Sequence, residues 1–510
     1  VPGVDQLNRL LDAAQGPLHP AARDTLIAAL DAGWADPRRL YAQARRARAL
    51  LDQSREIIAA GLGVRPAELS FHSSGPAALE AGLTGLLHGR RRRGTALVAS
   101  AVEHSVVLTL GRARAAGAAT GQPGSGPLIE VPVDHHGQVD LQDWAAAVAA
   151  EDTAAAALQH ANAEVGTLQP LEQAYALARE AGVPLLTDAQ ASLGRIDPPS
   201  TADVIVGSAA SFGGPPAVGL LVVREGTRFA LPGRVREAEH GRAETDPWVP
   251  LVLAAAEAWR QVEATREAEE REAYALIDAL RIRLSRIEGL EVVGHPTDRL
   301  PHVLTASALY VDGETVVHEL SRDGFLVASG SACTSSTLEP SHVLAAMGAL
   351  SHGNIRITLP LAALSPGRAQ DCAELPAVLE DVLRRARAVI HTTGSGATEV
   401  GQDTPEGSPM EDDSAPDEDA AGAAQPRTVS EDLSREQQAV LDSRGTLCPQ
   451  PIIDLARWWH AHPDADSVTL LADDEAARVD VPAWCRMTGR VLRTVTERSD
   501  GGTAYDVGSS

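Results

Sequence analysis

Short apolar runs alternate with helical stretches through the first half of the chain: TALVAS at 95–100, LIEVPV at 128–133, AAAALQHAN at 154–162, VPLLTDA at 183–189, VIVGS at 204–208 and GLLVVR at 219–224. This rhythm predicts the strands of a mainly parallel sheet covered by helices. From about Trp248 to Arg283 an Ala/Glu/Arg-rich stretch predicts one long helix leading into a second lobe that runs to about Ile390. Between about His391 and Glu436 the pattern gives way to Gly, Ser, Thr, Pro, Asp and Glu, as in GSPMEDDSAPDEDAAGAAQP. Such a segment cannot bury enough apolar surface to offset its ordering entropy, so an acidic, disordered linker is expected. Strand and helix signals then return to the end. The pattern divides the chain into a large α/β domain at 1–390, a linker at 391–436 and a small domain at 437–510, with no internal repeat.

Composition narrows the function classes. A length of 510 residues with 44% apolar positions suits two or three packed domains. A formal charge of -25 argues against direct nucleic-acid or anionic-membrane partners, which need a basic face. The one basic run, Arg90 to Arg93, is expected to cap a helix C-terminus. Four cysteines are no disulfide framework, and VPGVDQLNRL lacks the charged-then-apolar profile of a signal peptide. No apolar run approaches the roughly 20 residues of a membrane span. A reducing, cytoplasmic setting is the expectation.

All 44 basic residues are Arg. A GC-rich genome explains scarce lysine but not its complete absence, for which escape from lysine-directed tagging is an alternative. Whatever the origin, a chain without lysine cannot form a lysine Schiff base.

In AVLDSRGTLCPQPIIDLARWW, Cys448-Pro449-Gln450-Pro451 opens an amphipathic helical pattern, and proline is tolerated in a helix's first turn. A cysteine at a helix N-terminus is expected to gain thiolate character from the dipole and free N–H groups, with Arg444 adding positive charge. Locally, a buried helix-start cysteine fits equally well. LDSRGTLCPQP, followed by LLADDEAARVDVPAWC, resembles the TusA-type sulfur-carrier family, marked by Cys-Pro-x-Pro after Leu-Asp-x-Arg-Gly, over about 441–508. The resemblance implies a two-layer α/β sandwich and persulfide carriage on Cys448. Cys485 is expected to be packing.

Upstream, VASGSACTSSTLEPSHVL places Cys333 among small residues, where a thiol could swing between partners. In HGNIRITL, Arg356 could grip a carboxylate in a bidentate fork. Locally, a surface loop and a structural arginine fit as well. Together they resemble the active-site loop and substrate-binding arginine of the class V aminotransferase-like cysteine desulfurases, over roughly residues 10 to 390. The resemblance implies a fold-type I PLP-transferase-like large domain with a smaller α+β lobe. It also implies a pyridoxal phosphate enzyme that turns L-cysteine into L-alanine while a loop thiol takes the sulfur as persulfide. His104 in AVEHSVV matches the histidine that stacks on the cofactor ring, and Asp188 in LLTDAQ the partner of the pyridine nitrogen. Ser208 and Gly75 match phosphate contacts, and Thr245 in GRAETDP one donated across a dimer interface.

Departures accumulate at the same site. The family's Ser-x-His-Lys reads Ser208-Ala209-Ala210-Ser211, so Ser211 stands where the Schiff-base lysine belongs. The phosphate turn, which in the family ends Gly-Thr, reads Ser74-Gly75-Pro76, losing a hydroxyl and an N–H. Ala163 replaces the asparagine facing the ring oxygen, with Asn162 one place off. Ala191 occupies the usual glutamine position, beside Gln190. The expectation is a degenerate domain that has lost pyridoxal phosphate or holds it only non-covalently, relaying sulfur from Cys333 to Cys448. Its partners would be sulfur donor and acceptor proteins, and it would form a homodimer or pair with an active desulfurase. Two alternatives stay open: an active desulfurase with non-covalently bound cofactor, and a non-catalytic scaffold docking a sulfur-using partner. No metal is expected: Asp134, His135 and His136 read as a polar turn, and Cys372 as a small buried residue.

Overall fold

The computed structural model describes residues 9–14, 16–33, 35–122, 124–233, 238–243, 245–329, 341–392, 439–498 and 501–509. The chain separates into two compact units, Val1–Glu380 and Asp381–Ser510.

The first unit is built on a seven-stranded sheet ordered Leu69–His72, Gly219–Val223, Val204–Ser208, Leu185–Asp188, Thr153–Ala157, Ala96–Ser100, Leu128–Val131. The last five run parallel to one another. Gly219–Val223 turns antiparallel to Val204–Ser208 because only a short 3-10 segment connects them, with no crossover helix. All six apolar runs hold strands. The seventh, LSFH at 69–72, was not apparent from the pattern and pairs antiparallel with Gly219–Val223.

Helices cover both faces. Gly75–Arg90 starts at the N-cap Ser74, whose hydroxyl accepts from the Ala77 N–H at 3.2 Å, and ends at the first arginine of the basic run. The long Ala-rich stretch is one helix, Val249–Leu284. Its first half buries Val252, Ala255, Trp259 and Val262, with the Trp259 ring edge-on to Phe212 at 5.0 Å. Gly61 is required there: a Cβ would sit 2.0 Å from the indole nitrogen of Trp259. The second lobe is a three-stranded antiparallel sheet ordered Asn354–Thr358, Val303–Ala308, Leu290–Val293. No described helix is long and apolar enough to cross a membrane.

The second unit carries a four-stranded sheet, ordered Ala439–Asp442, Ser467–Ala472, Thr503–Gly508, Val491–Glu497. The helices Gln450–Ala461 and Ala477–Thr488 pack on it through Ile452, Leu455, Val481 and Trp484. The expected linker at 391–436 lies, apart from its first two residues, outside the described residues.

Candidate functional site

The parallel strands of the first unit end beside one cavity of about 320 Å³. Side chains just beyond carboxyl ends of parallel strands converge by topology, which places ligand sites there. Glu103 and His104 follow Ala96–Ser100, Gln159 and Asn162 follow Thr153–Ala157, and Asp188 ends its own strand. Arg356, on the second lobe, closes the opposite wall.

Of the residues singled out in the sequence, the structure thus brings His104, Asp188, Gln190 and Arg356 together. His104 caps the Ser105–Ala119 helix, its Nδ1 accepting from the Val106 N–H at 3.1 Å. The buried Asp188 carboxyl is pushed up by burial, against the pull of His104. Gln190 engages both its oxygens: its backbone N–H donates to Oδ1 at 2.9 Å and its Nε2 to Oδ2 at 3.0 Å. The Gln190 amide also lies against the start of the Gly75–Arg90 helix, where a Cβ on Gly75 would come within 1.9 Å of Oε1. It therefore reaches from the carboxylate expected to meet a pyridine nitrogen to the turn expected to meet a phosphate.

At the Schiff-base position, the Ser211 hydroxyl donates to the Ser208 carbonyl at 2.7 Å, while Arg195 donates to the Ser211 carbonyl at 3.0 Å. The Ser208 hydroxyl accepts from the Ala210 N–H at 3.3 Å. Asn162 does not stand in for the missing ring-oxygen contact. It donates to the Val102 carbonyl at 3.1 Å and accepts the N–H groups of Glu164 and Val165 at 2.8 and 2.9 Å, so it is a turn residue. With no amine at 211, no N–H at Pro76 and Asp188 already bonded, the residues present do not fit a covalently held pyridoxal phosphate. Thr245 lies elsewhere, on a separate cavity of about 630 Å³ with Phe71, His72 and Trp248.

Two cavity residues had escaped the motif reading, Glu103 and Glu164. Burial pushes Glu103 up to about 8, with the Gln159 N–H pulling down and the charge of Asp188 adding to the rise. Burial likewise raises Glu164 to about 7, opposed by the Ser341 hydroxyl at 2.8 Å and by Arg356. Glu103 Oε2, Glu164 Oε1 and Arg356 Nε are buried without hydrogen-bond partners among the described residues. The local signal was a glutamate among apolar and small residues just past a strand, in AVEH and ANAEVG.

Cys333 lies outside the described residues. The described residues flanking it are tied to the cavity wall: Ala328 exchanges backbone hydrogen bonds with Arg356 at 3.0 and 2.7 Å, and Ser341 reaches Glu164. Cys372 is buried in the Arg368–Thr392 helix, which raises its thiol to about 11. Asp134 organises a turn, accepting the N–H groups of His136 and Gln138 at 2.9 Å each.

In the second unit, Cys448 sits two residues before the Gln450–Ala461 helix, with Pro449 as N-cap. Successive aspartates at the end of Ser467–Ala472 hold its loop. Asp473 accepts the Gly445 N–H at 2.8 Å and Asp474 the Cys448 N–H at 2.6 Å. Gly445 has φ +78°, which explains the glycine. The surroundings of the thiol work against the expected thiolate activation. Burial, then the charges of Asp480 and Asp474, push the Cys448 thiol well above its ordinary range. Arg444, expected to add positive charge there, pairs through its Nη2 with Asp442 at 2.7 Å. Cys485 is buried, with its thiol raised to about 11 by burial.

Residues 10–363 match the Aminotransferase class-V family, and residues 439–505 match Sulfurtransferase TusA. Cysteine desulfurase IscS of Dictyoglomus turgidum is 30% identical over 400 residues, covering 74% of this chain and 94% of that one. Cysteine desulfurase NifS of Azotobacter vinelandii is 30% identical over 332 residues, covering 64% and 80%. The solved structure of a NifS-like protein superposes with a TM-score of 0.64 at 23% identity, covering 74% of this chain and all of the other.

Proposed function

We propose a sulfur relay for this chain, which belongs to the class-V aminotransferase family, resembles its cysteine desulfurases and ends in a TusA sulfur-carrier domain. In this reading the desulfurase-like domain receives persulfide sulfur on Cys333 and passes it to Cys448. Arg356, His104, Asp188, Ser208, Gly75 and Thr245 are remnants of a substrate and cofactor site no longer served by a lysine. One observation carries the reading: Ser211, at the Schiff-base position, is hydrogen-bonded into its own turn, in a chain without lysine.

Exchange between a thiolate and a persulfide needs no cofactor, only two thiols and access. Carrying both cysteines on one chain makes the second step intramolecular. The sulfur donor and final acceptor are separate proteins. Replacing Cys333 or Cys448 by serine is expected to abolish sulfur delivery to an acceptor thiol; delivery unchanged in either variant contradicts the relay.

A second reading is an active desulfurase with pyridoxal phosphate held non-covalently, supported by His104, Asp188 and Arg356 sharing one cavity. When bound, that group would supply an electron sink for breaking bonds at the substrate's α-carbon. His104 would stack on it and Arg356 would hold the carboxylate, once Gln190 had released Asp188. Alanine formation from cysteine under saturating pyridoxal phosphate distinguishes the two readings, and the relay expects none without a separate desulfurase.

A further inference from the structure

We propose that the cavity at the strand ends binds a free α-amino acid without a cofactor, its carboxylate on Arg356 and its ammonium group on Glu164. The inference rests on the reading above that pyridoxal phosphate no longer fills this space, and it gives Glu164 and Glu103 a part in holding a ligand.

The fold brings a carboxyl and a guanidinium to this wall together. Thr305 lies directly opposite Arg356 where the strands Val303–Ala308 and Asn354–Thr358 pair, and its hydroxyl donates to the Glu164 carbonyl at 2.6 Å. Asn162 holds the same turn by accepting the Glu164 and Val165 N–H groups at 2.8 and 2.9 Å. The Glu164 carboxyl is thereby fixed close enough to Arg356 to feel its charge, and both side chains line the cavity. Glu164 Oε2 accepts from the Ser341 hydroxyl at 2.8 Å, while Glu164 Oε1 and Arg356 Nε are buried without partners among the described residues. Buried polar atoms left in this way are costly, and a ligand bearing both signs of charge would satisfy the two at once.

An α-amino acid carries a carboxylate and an ammonium group on one carbon. The guanidinium suits the first and Glu164 Oε1 accepts from the second. A simple anion would lie against the Glu164 oxygens, and a simple amine would leave Arg356 uncompensated. Other charged groups on the walls are engaged: Asp188 by Gln190, Arg112 by Glu130 at 3.0 Å, and His342 through Nε2 with the Glu103 carbonyl at 2.9 Å. His104 Nδ1 accepts the Val106 N–H, which directs its remaining proton to Nε2. Glu103 Oε1 accepts the Gln159 N–H at 2.7 Å, and its Oε2 is orphaned. Raised to about 8 by burial, with the charge of Asp188 adding to the rise, Glu103 keeps its proton at neutral pH and offers the ligand a donor instead of a second negative charge.

Binding is linked to a proton. In the empty cavity burial raises Glu164 to about 7, opposed by the Ser341 hydroxyl and by Arg356. An ammonium group needs the carboxylate form, so Glu164 releases its proton to solvent as the amino acid enters, and no covalent bond forms or breaks. The ionised fraction of the empty site grows about tenfold between about pH 6 and 8, and apparent affinity should grow with it. A simple anion would show the opposite slope, because ionised Glu164 repels it.

The test uses the full chain, first checked by mass spectrometry for bound pyridoxal phosphate. The common L-amino acids, each at about 10 mM, are screened by thermal shift. The best binder is then measured by calorimetry beside the same acid without its amino group and the same amine without its carboxyl. At least one amino acid is expected to raise the melting temperature, and both analogues should bind at least about tenfold more weakly. Affinity should rise about tenfold from about pH 6 to 8, with proton release. Glu164→Gln should remove that pH dependence, and Arg356→Gln should weaken binding at least about tenfold. The proposal is overturned if no amino acid stabilises the protein, if the acid lacking the amino group binds as tightly, or if affinity falls as pH rises. If Glu164→Gln fails to fold, judged by circular dichroism, the analogues and the wild-type pH profile decide. Protein purified with pyridoxal phosphate in place fails the premise of a retired cofactor site, a result distinct from cofactor-free protein that binds no amino acid.

Discussion

The helices that begin at Gly75 and at Gln450 start alike, each with a proline in the first turn at a site where a family motif expects chemistry. Their surroundings have diverged. At Gly75 the neighbours have closed in: the Gln190 amide lies on the glycine and bonds the nearby Asp188, and Pro76 offers no N–H. At Gln450 the cysteine stays half-buried, its loop fixed by Asp473 and Asp474 and its sulfur beside Asp480. The helix dipole alone decides neither site. A helix start binds anions only where its N–H groups are open, and it favours a thiolate only where no carboxylate opposes it. The first site is hydrogen-bonded internally, while the second presents a half-buried thiol.

The largest effect expected from this contrast is on stability against pH. Glu103 and Glu164, raised to about 8 and about 7, stay protonated when folded at pH values where the unfolded chain has ionised them. The folded state then binds more protons, so stability falls as pH rises from the usual carboxylate range toward about 8, by roughly 1.4 kcal/mol per pH unit for each titrating group. Thermal unfolding of the Glu103→Gln/Glu164→Gln double variant should show that slope largely removed. An unchanged slope would mean that neither carboxyl is protonated in the folded protein.

The next effect concerns how firmly the cofactor site has closed. Ser211→Lys supplies an amine, but Gln190 still holds Asp188. Ser211→Lys/Gln190→Ala should therefore take up pyridoxal phosphate at least about tenfold more tightly, a difference of about 1.4 kcal/mol, read by borohydride fixation and mass shift. Equal uptake by the two variants would show that Gln190 is no obstacle. The smallest effect is at Arg444. Because it pairs with Asp442, Arg444→Ala should change the alkylation rate of Cys448 by less than about twofold, in line with the weak energies of exposed ion pairs. A tenfold fall would restore Arg444 as the activating charge.

Much of the architecture was legible because uniformly apolar runs such as VIVGS and GLLVVR can be satisfied only in a buried sheet. LSFH at 69–72 escaped because four residues with a serine and a histidine carry no clear period, and their strand is defined by its partner, Gly219–Val223. His104, Asp188 and Arg356 were legible through motifs, and the strand ends then brought them together. The Asp442 partner of Arg444 was not legible, because proximity along the chain does not give side-chain direction. The Asp473 and Asp474 clamps cross 28 and 26 residues, and Glu103 and Glu164 matter through burial, which local sequence does not report.

The most direct test of the relay is intact and peptide mass spectrometry of the purified protein after incubation with cysteine and pyridoxal phosphate, with and without a separate active desulfurase. Persulfide is expected on Cys333 and Cys448 only when the helper is present. Persulfide on either cysteine without the helper, accompanied by alanine, would contradict it and show that this chain performs desulfurase chemistry without lysine.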